Sequence, residues 1–171
     1  QAAKLIGDKT GLLVAFNKHI AEELGERLQG TPMVSSTIHS MCKKVLDAAI
    51  GKPSKPEKGN SKWREIIEAE VERCGVPDDK AFTWGKTLQA LIDKVMVTLT
   101  PLDDEAKMWE LVMHFGLEED VTPNMLKAVA HAIRKAEKIT KETGAINFNE
   151  MIYWCCVWGL QPTKYDWVMC D

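Results

Sequence analysis

The chain has 171 residues, 45% of them apolar and 27% charged, with a formal net charge of −3. That is a soluble globular balance with length enough for one domain and a real core. It argues against a protein that grips nucleic acid by bulk positive charge, though not against binding through stacking and a local basic strip. No apolar run approaches the roughly 20 residues needed to span a membrane. The five cysteines are odd in number and include no C-x-x-C pair. A disulfide framework or zinc site is therefore not expected, and a reducing cytoplasm is.

In chain order, 1–6 reads as the end of a helix and 7–11 as the turn after it. No basic start precedes a long apolar core, so no signal peptide is read there. The absence of an initiator Met suggests a piece of something longer. Leu12–Phe16 is a continuous apolar run, which predicts a strand covered on both faces, as in a parallel sheet. Ile20, Leu24 and Leu28 then recur every fourth residue, with Glu22, Glu23 and Glu26 on the other side of an amphipathic helix. Glu23 and Arg27 form an (i, i+4) pair on its polar face. A second strand, Met33–Thr37, leads into a helix through Met41, Val45 and Ala49. Strand–helix–strand–helix order implies right-handed crossovers and a doubly wound parallel sheet, in which ligands sit beyond the carboxyl ends of the strands. Phe16-Asn17-Lys18 and Thr37-Ile38-His39-Ser40 fall at those ends.

Residues 51–60 are a loop by composition, rich in Pro, Gly, Lys and Ser. Four helices are predicted after it. One is capped by Ser61 and carries Trp63, Ile66, Ile67, Val71 and Cys74; a second covers Asp79–Val97 with Trp84, Leu88, Leu91, Ile92 and Val95 inward. A third is capped by Asp103, with Met108, Leu111, Val112 and Phe115 inward and Gly116 as its stop. The fourth opens at Thr122-Pro123 and runs to about Thr143. Nothing in 51–144 reads as a strand, so this block is expected to be a helical lobe inserted into an α/β domain whose parts are 1–50 and 145–171. Asn147 and Glu150 form a capping-box pair opening a helix through Met151, Ile152, Cys155 and Trp158. Tyr165–Asp171 returns to strand and ends on a carboxylate. A buried strand with an acid at its ligand-facing end is a common magnesium holder. Trp63, Trp84, Trp109, Trp154 and Trp158 are read as core, and Cys155-Cys156 as buried helix.

Three segments resemble the UvrD-like branch of superfamily 1 helicases. Leu12-Leu13-Val14-Ala15-Phe16-Asn17-Lys18-His19-Ile20-Ala21 resembles motif Ia, and Ser36-Thr37-Ile38-His39-Ser40-Met41-Cys42 the following Thr-Phe-His-Ser motif. Ile146-Asn147-Phe148-Asn149-Glu150-Met151-Ile152 resembles the segment leading into motif II, and Trp167–Asp171 a Walker B strand cut at its first Asp. The short Phe-Asn-Lys form is closest in style to phage-type or F-box helicases. Ile38 departs from the usual Phe, and Asn147 and Glu150 from the usual Asp residues. The resemblance implies a partial RecA-like sheet with a large helical insertion, in a parent enzyme that couples hydrolysis of ATP with Mg2+ to movement along single-stranded DNA, 3′ to 5′ by analogy. It implies a bacterial or phage-infected cell as setting and further helicase domains in cis. The P-loop, the glutamate after Asp171 and the second RecA-like domain with its arginine finger lie outside these residues, so the chain alone is not expected to hydrolyse ATP. Oligomeric state is open.

The same resemblance suggests roles. Phe16 would stack on a base, against the alternative of a core Phe ending a buried strand. Asn17 and Lys18 would meet phosphate at a helix N-terminus, against a cap and a solvated lysine. Thr37, His39 and Ser40 would line the strand track, against a helix cap with a locally satisfied His39. Asp171 would bind the magnesium of MgATP, against an ordinary strand-end Asp. Lys43, Lys44, Lys52, Lys55, Lys58, Lys62 and Arg64 set against Asp47 and Glu57 leave a local +5, either a DNA-facing strip or a solvated loop. The rival to the helicase reading is a non-enzymatic helical module that binds protein or nucleic acid.

Overall fold

The computed structural model describes residues 8–57, 59 and 61–170. Strand β1 (Gly11–Ala15) forms where the apolar run predicts it and stops one residue early, leaving Phe16 outside. It is followed by α1 (Lys18–Arg27), β2 (Met33–Thr37) and α2 (Ile38–Ile50). The last strand, β5 (Trp167–Cys170), pairs with the other side of β1, so the sheet order is β2–β1–β5. All pairings are parallel, in a register that sets Ala15 beside Thr37 and Val14 beside Cys170. The α/β class is therefore present, as a small parallel sheet in a mostly helical chain. Helix α1 packs against β1 and β2. On the face of Leu12 and Val14 lies a 460 Å³ cavity bounded by Ile38, Met41, Tyr165 and Val168.

β5 departs from the expectation of a buried strand. Trp167, Val168 and Cys170 are all exposed, because β5 has a sheet neighbour on one side only among the described residues. It is held instead at its start. The Thr10 N–H donates to Asp166 Oδ2 at 2.8 Å, and the Asp166 and Trp167 N–H groups donate back to the Thr10 carbonyl at 3.0 and 3.2 Å. The Thr10 donors hold the Asp166 carboxyl below its ordinary value. Asp171 lies outside the described residues.

The helices of the lobe are α3 (Ser61–Arg73), α4 (Asp78–Thr98), α5 (Glu105–His114) and α6 (Pro123–Thr143). Their inward stripes meet in one core with Leu46 of α2 and with Met151 and Trp154 of α7 (Phe148–Val157). Trp63 and Trp154 are fully buried there, while Trp84, Trp109 and Trp158 pack partly buried against it. Four local expectations change. Asp104 and not Asp103 caps α5, accepting from the Lys107 N–H; Asp103 reaches across to Arg134. Phe115 turns outward over Lys94, whose ammonium lies 3.7 Å from the ring centroid. Ser61 is the first helical residue of α3 and so not its cap. Cys156 is exposed although Cys155 is buried, because the buried face of this helix ends at Cys155, whose thiol donates to the Cys42 carbonyl.

The lobe is also not wholly helical. At its root β3 (Lys55–Pro56) runs parallel to β4 (Ala145–Ile146). Lys55 N–H donates to the Gly144 carbonyl at 2.7 Å and Glu57 N–H to that of Ile146 at 2.9 Å, so the ladder skips Pro56, which has no N–H to give. Gly144 ends α6 with φ +77°, and a Cβ there would meet the Pro53 carbonyl at 3.0 Å. Gly144→Ala is expected to lower stability by at least about 1–2 kcal/mol from the left-handed backbone alone. The check is a lower urea midpoint with an unchanged slope. No helix among the described residues is long and apolar enough to cross a membrane.

Candidate nucleic-acid interface

The last rung of the β1–β2 ladder is Ala15 beside Thr37. The next residues on both strands therefore leave the sheet along the same edge, about 4.8 Å apart at the last rung. Phe16, Asn17 and Lys18 leave from β1, and Ile38, His39 and Ser40 from β2. Ala15 is buried, whereas Phe16 is 87% exposed. The core-Phe alternative is thus excluded: the chain has already turned away from the sheet to enter α1, and the ring is carried into solvent.

Asn17 is the N-cap of α1. Its Oδ1 accepts from the Ile20 N–H at 2.9 Å, which leaves the side-chain NH2 free to donate. The N–H groups of Lys18 and His19 belong to the first turn, where a helix lacks internal acceptors. Lys18 pairs with Glu22 at 3.3 Å in full solvent, a contact weak enough to be exchanged for another anion. Thr37 caps α2, accepting from the Ser40 N–H at 3.1 Å while its hydroxyl donates to Ser40 Oγ at 3.0 Å. Ser40 keeps its own hydroxyl proton for an outside acceptor. His39 stacks on Phe148, centroid to centroid 3.6 Å with planes 25° apart. Burial lowers its pKa and so favours the neutral imidazole.

The rim thus gathers Phe16, Asn17, Lys18, Thr37, His39 and Ser40 on one sheet edge, with two helix N-termini pointing out of it. β5 ends on that edge too, Cys170 standing opposite Val14. The arrangement offers a free aromatic face, amide and hydroxyl donors and one exposed ammonium. It can hold an anionic chain by directed hydrogen bonds and stacking rather than by bulk charge. Among the described residues no group of three or more His, Cys, Asp or Glu side chains is placed to hold a metal ion.

The fold withdraws one cation of the basic strip and pairs others locally. Lys62 is buried on Glu150, with Nζ–Oε distances of 2.6 and 2.8 Å. Lys43 pairs with Asp47 at 2.6 Å, and Lys52 donates to the Glu142 carbonyl at 2.8 Å. Arg64 lies 3.9 Å from Glu68, and Lys58 is outside the described residues. Among the described residues, burial therefore removes Lys62 from the strip, while Lys44 and Lys55 stay exposed. Two features were missed by sequence reasoning. One is the Lys62–Glu150 pair, whose partners are too far apart in sequence for any periodicity to join them. The other is Phe148, whose signal was an aromatic residue directly after a capping Asn, where nothing in the helix can cover it. Compared with protein-family models and with curated proteins, the chain matches none.

Proposed function

We propose that this chain is the strand-holding part of the first RecA-like motor domain of a UvrD-like, ATP-dependent DNA helicase. Its own part of that work is to bind single-stranded DNA along the β1–β2 edge. One observation carries the reading: Phe16 stands 87% exposed at the carboxyl end of a parallel strand, one rung from the Thr37–Ser40 turn. An apolar ring kept in water at a ligand-binding edge costs the free protein burial and gains only from a partner. The caps made by Asn17 and Thr37 fix the two turns, so the donors that face outward are already ordered before DNA arrives. In the parent enzyme, Mg2+ and ATP would supply the hydrolysis that drives domain closure.

A second reading, a helical module that binds a protein partner, is favoured by the 600 Å³ apolar groove between α3 and α4, where Ile67, Val71 and exposed Phe82 line an open wall. The test is a titration of fluorescein-labelled oligo(dT) with the 171-residue chain at two salt concentrations, against duplex of equal length. The motor reading expects saturable binding, tighter for the single strand. Its salt slope should be shallow, with only one or two phosphates neutralised. Equal weak binding of both forms would leave the helical module as the better account.

A further inference from the structure

We propose that the groove between α3 and α4 is a docking site for an amphipathic helix of a protein partner. That helix carries an apolar ridge for the floor of the groove and acidic residues beside it for Arg64 and Lys86. The proposal rests on the protein-partner reading of that groove and names the partner's chemistry. It stands whether or not the β1–β2 edge holds DNA.

Two consecutive helices wall the groove. Ile67 and Val71 stand one turn apart on α3, and Ala81 and Gly85 one turn apart on α4. A Cβ on Gly85 would meet Ile67 Cγ2 at 3.2 Å, so the bare backbone lets the two helices approach closely there. Phe82 stands on the α4 wall, 72% exposed. The buried stripe of α4 is carried by Leu88, Leu91, Ile92 and Val95, and an apolar ring left in water gains from being covered. The floor repeats every fourth residue on both walls. Its complement is a ridge of the same spacing, which another helix presents. An extended peptide would find no backbone partners here, because the N–H and C=O groups of the walls are bonded within their own helices.

Charge selects the flanks of that helix. Lys86 lies one turn beyond Phe82, its ammonium 4.3 Å from the ring centroid, so a cation and an aromatic face are presented together. Arg64 borders the groove from α3. It lies 3.9 Å from Glu68 with both side chains open to water, a pair weak enough for an incoming carboxylate to replace. Among the described residues the lining thus holds two cations and one carboxylate, in a chain whose formal net charge is −3. An acidic helix is repelled by the chain as a whole and attracted at these two points, which fixes its place by sign as well as by shape. A second copy across a two-fold axis would bring the same two cations onto the patch, setting like charges together.

The experiment titrates the 171-residue chain into fluorescein-labelled helical peptides of about 14 residues, four turns. One peptide has Leu at alternating three- and four-residue spacing with Glu beside it. A second has Lys in place of every Glu, and a third is the first in scrambled order. The acidic peptide should bind saturably, and the other two about 10-fold more weakly or worse. Phe82→Ala should weaken the acidic peptide about 30-fold, the loss of one central aromatic anchor, with an unchanged melting temperature because the ring is exposed. Lys86→Glu should weaken the acidic peptide about 10-fold and strengthen the Lys peptide, an exchange of preference that a loss of folding cannot produce. Oligo(dT) affinity should stay the same in both variants, and Phe16→Ala should leave peptide affinity unchanged. Equal binding of the acidic and scrambled peptides, or wild-type peptide affinity in Phe82→Ala and Lys86→Glu, overturns the docking site and leaves the strand-holding reading standing. A wild type that sediments as a dimer held through Phe82 overturns it as well, the occupant then being a second copy. A wild type that binds the acidic peptide in this way but no single strand upholds the docking site and overturns the motor reading.

Discussion

Replacing Lys62 by methionine should cost about 3–5 kcal/mol of folding stability, among the largest effects of any single change in this chain. For a chain of this size that lowers the melting temperature by roughly 6–20 °C. Lys62 Nζ donates to both oxygens of Glu150, to Thr140 Oγ1 at 3.1 Å and to the Ala145 carbonyl at 2.8 Å. It thereby ties α3, the end of α6, β4 and the start of α7 to one atom. Glu57 adds a second carboxylate nearby, with one oxygen buried and no hydrogen-bond partner among the described residues. The ammonium therefore balances two acids, and its loss strands Glu150 at 0% exposure.

Burial raises the Glu150 carboxyl against the opposing pull of Lys62. Without Lys62 only the Asn147 N–H, which donates to Glu150 Oε2, still opposes that rise. A folded-state pKa above the unfolded one contributes stability at low pH that is lost as pH rises through the folded value. The Lys62→Met deficit should therefore shrink as pH falls toward the carboxylate range and widen above it. Thermal melts of both proteins across pH read this directly. The double variant Lys62→Met with Glu150→Leu leaves only Glu57 without its cation and should recover most of the loss. A double variant as unstable as the single one would show that stranded charge at Glu150 is not the cause.

Phe16→Ala should leave stability within about 0.5 kcal/mol of wild type, because the ring touches little. It should still weaken single-stranded DNA binding about 5- to 150-fold. That split between folding and binding makes Phe16 the cleanest probe of the rim. Asn17→Ala and Thr37→Ala are poorer ones. Each removes a helix cap worth about 0.5–2 kcal/mol, so lost binding would be entangled with a loosened turn. Lys18→Ala should act differently again, weakening binding to any sequence and lowering the salt slope by about one. Anisotropy titrations at several salt concentrations separate these effects. Unchanged affinity in Phe16→Ala would remove that residue from the interface, whatever the other rim residues do.

The elements that could be read from the sequence alone are those set by local rules. The 3.6-residue stripes of α4 and α6, the Thr122-Pro123 start and the Asn147–Glu150 capping box each depend on residues within a turn of one another. The parallel pairing of β1 and β2 followed from two strands joined by a helix, and with it the shared edge of Phe16 and Thr37. Near neighbours decide such features, so a linear pattern contains them.

Tertiary structure alone decided which charges face water and which rings do not. Lys62 reads as one more cation in a basic run, yet the chain turns it inward onto an acid from a distant helix. Phe16 closes an apolar run and reads equally well as core, yet the strand ends one residue before it. Phe148 and His39 become a stacked pair only because α2 and α7 pack side by side. Lys62 and the Phe148–His39 pair depend on contacts between residues remote in sequence, whereas Phe16 depends on where the paired strand stops.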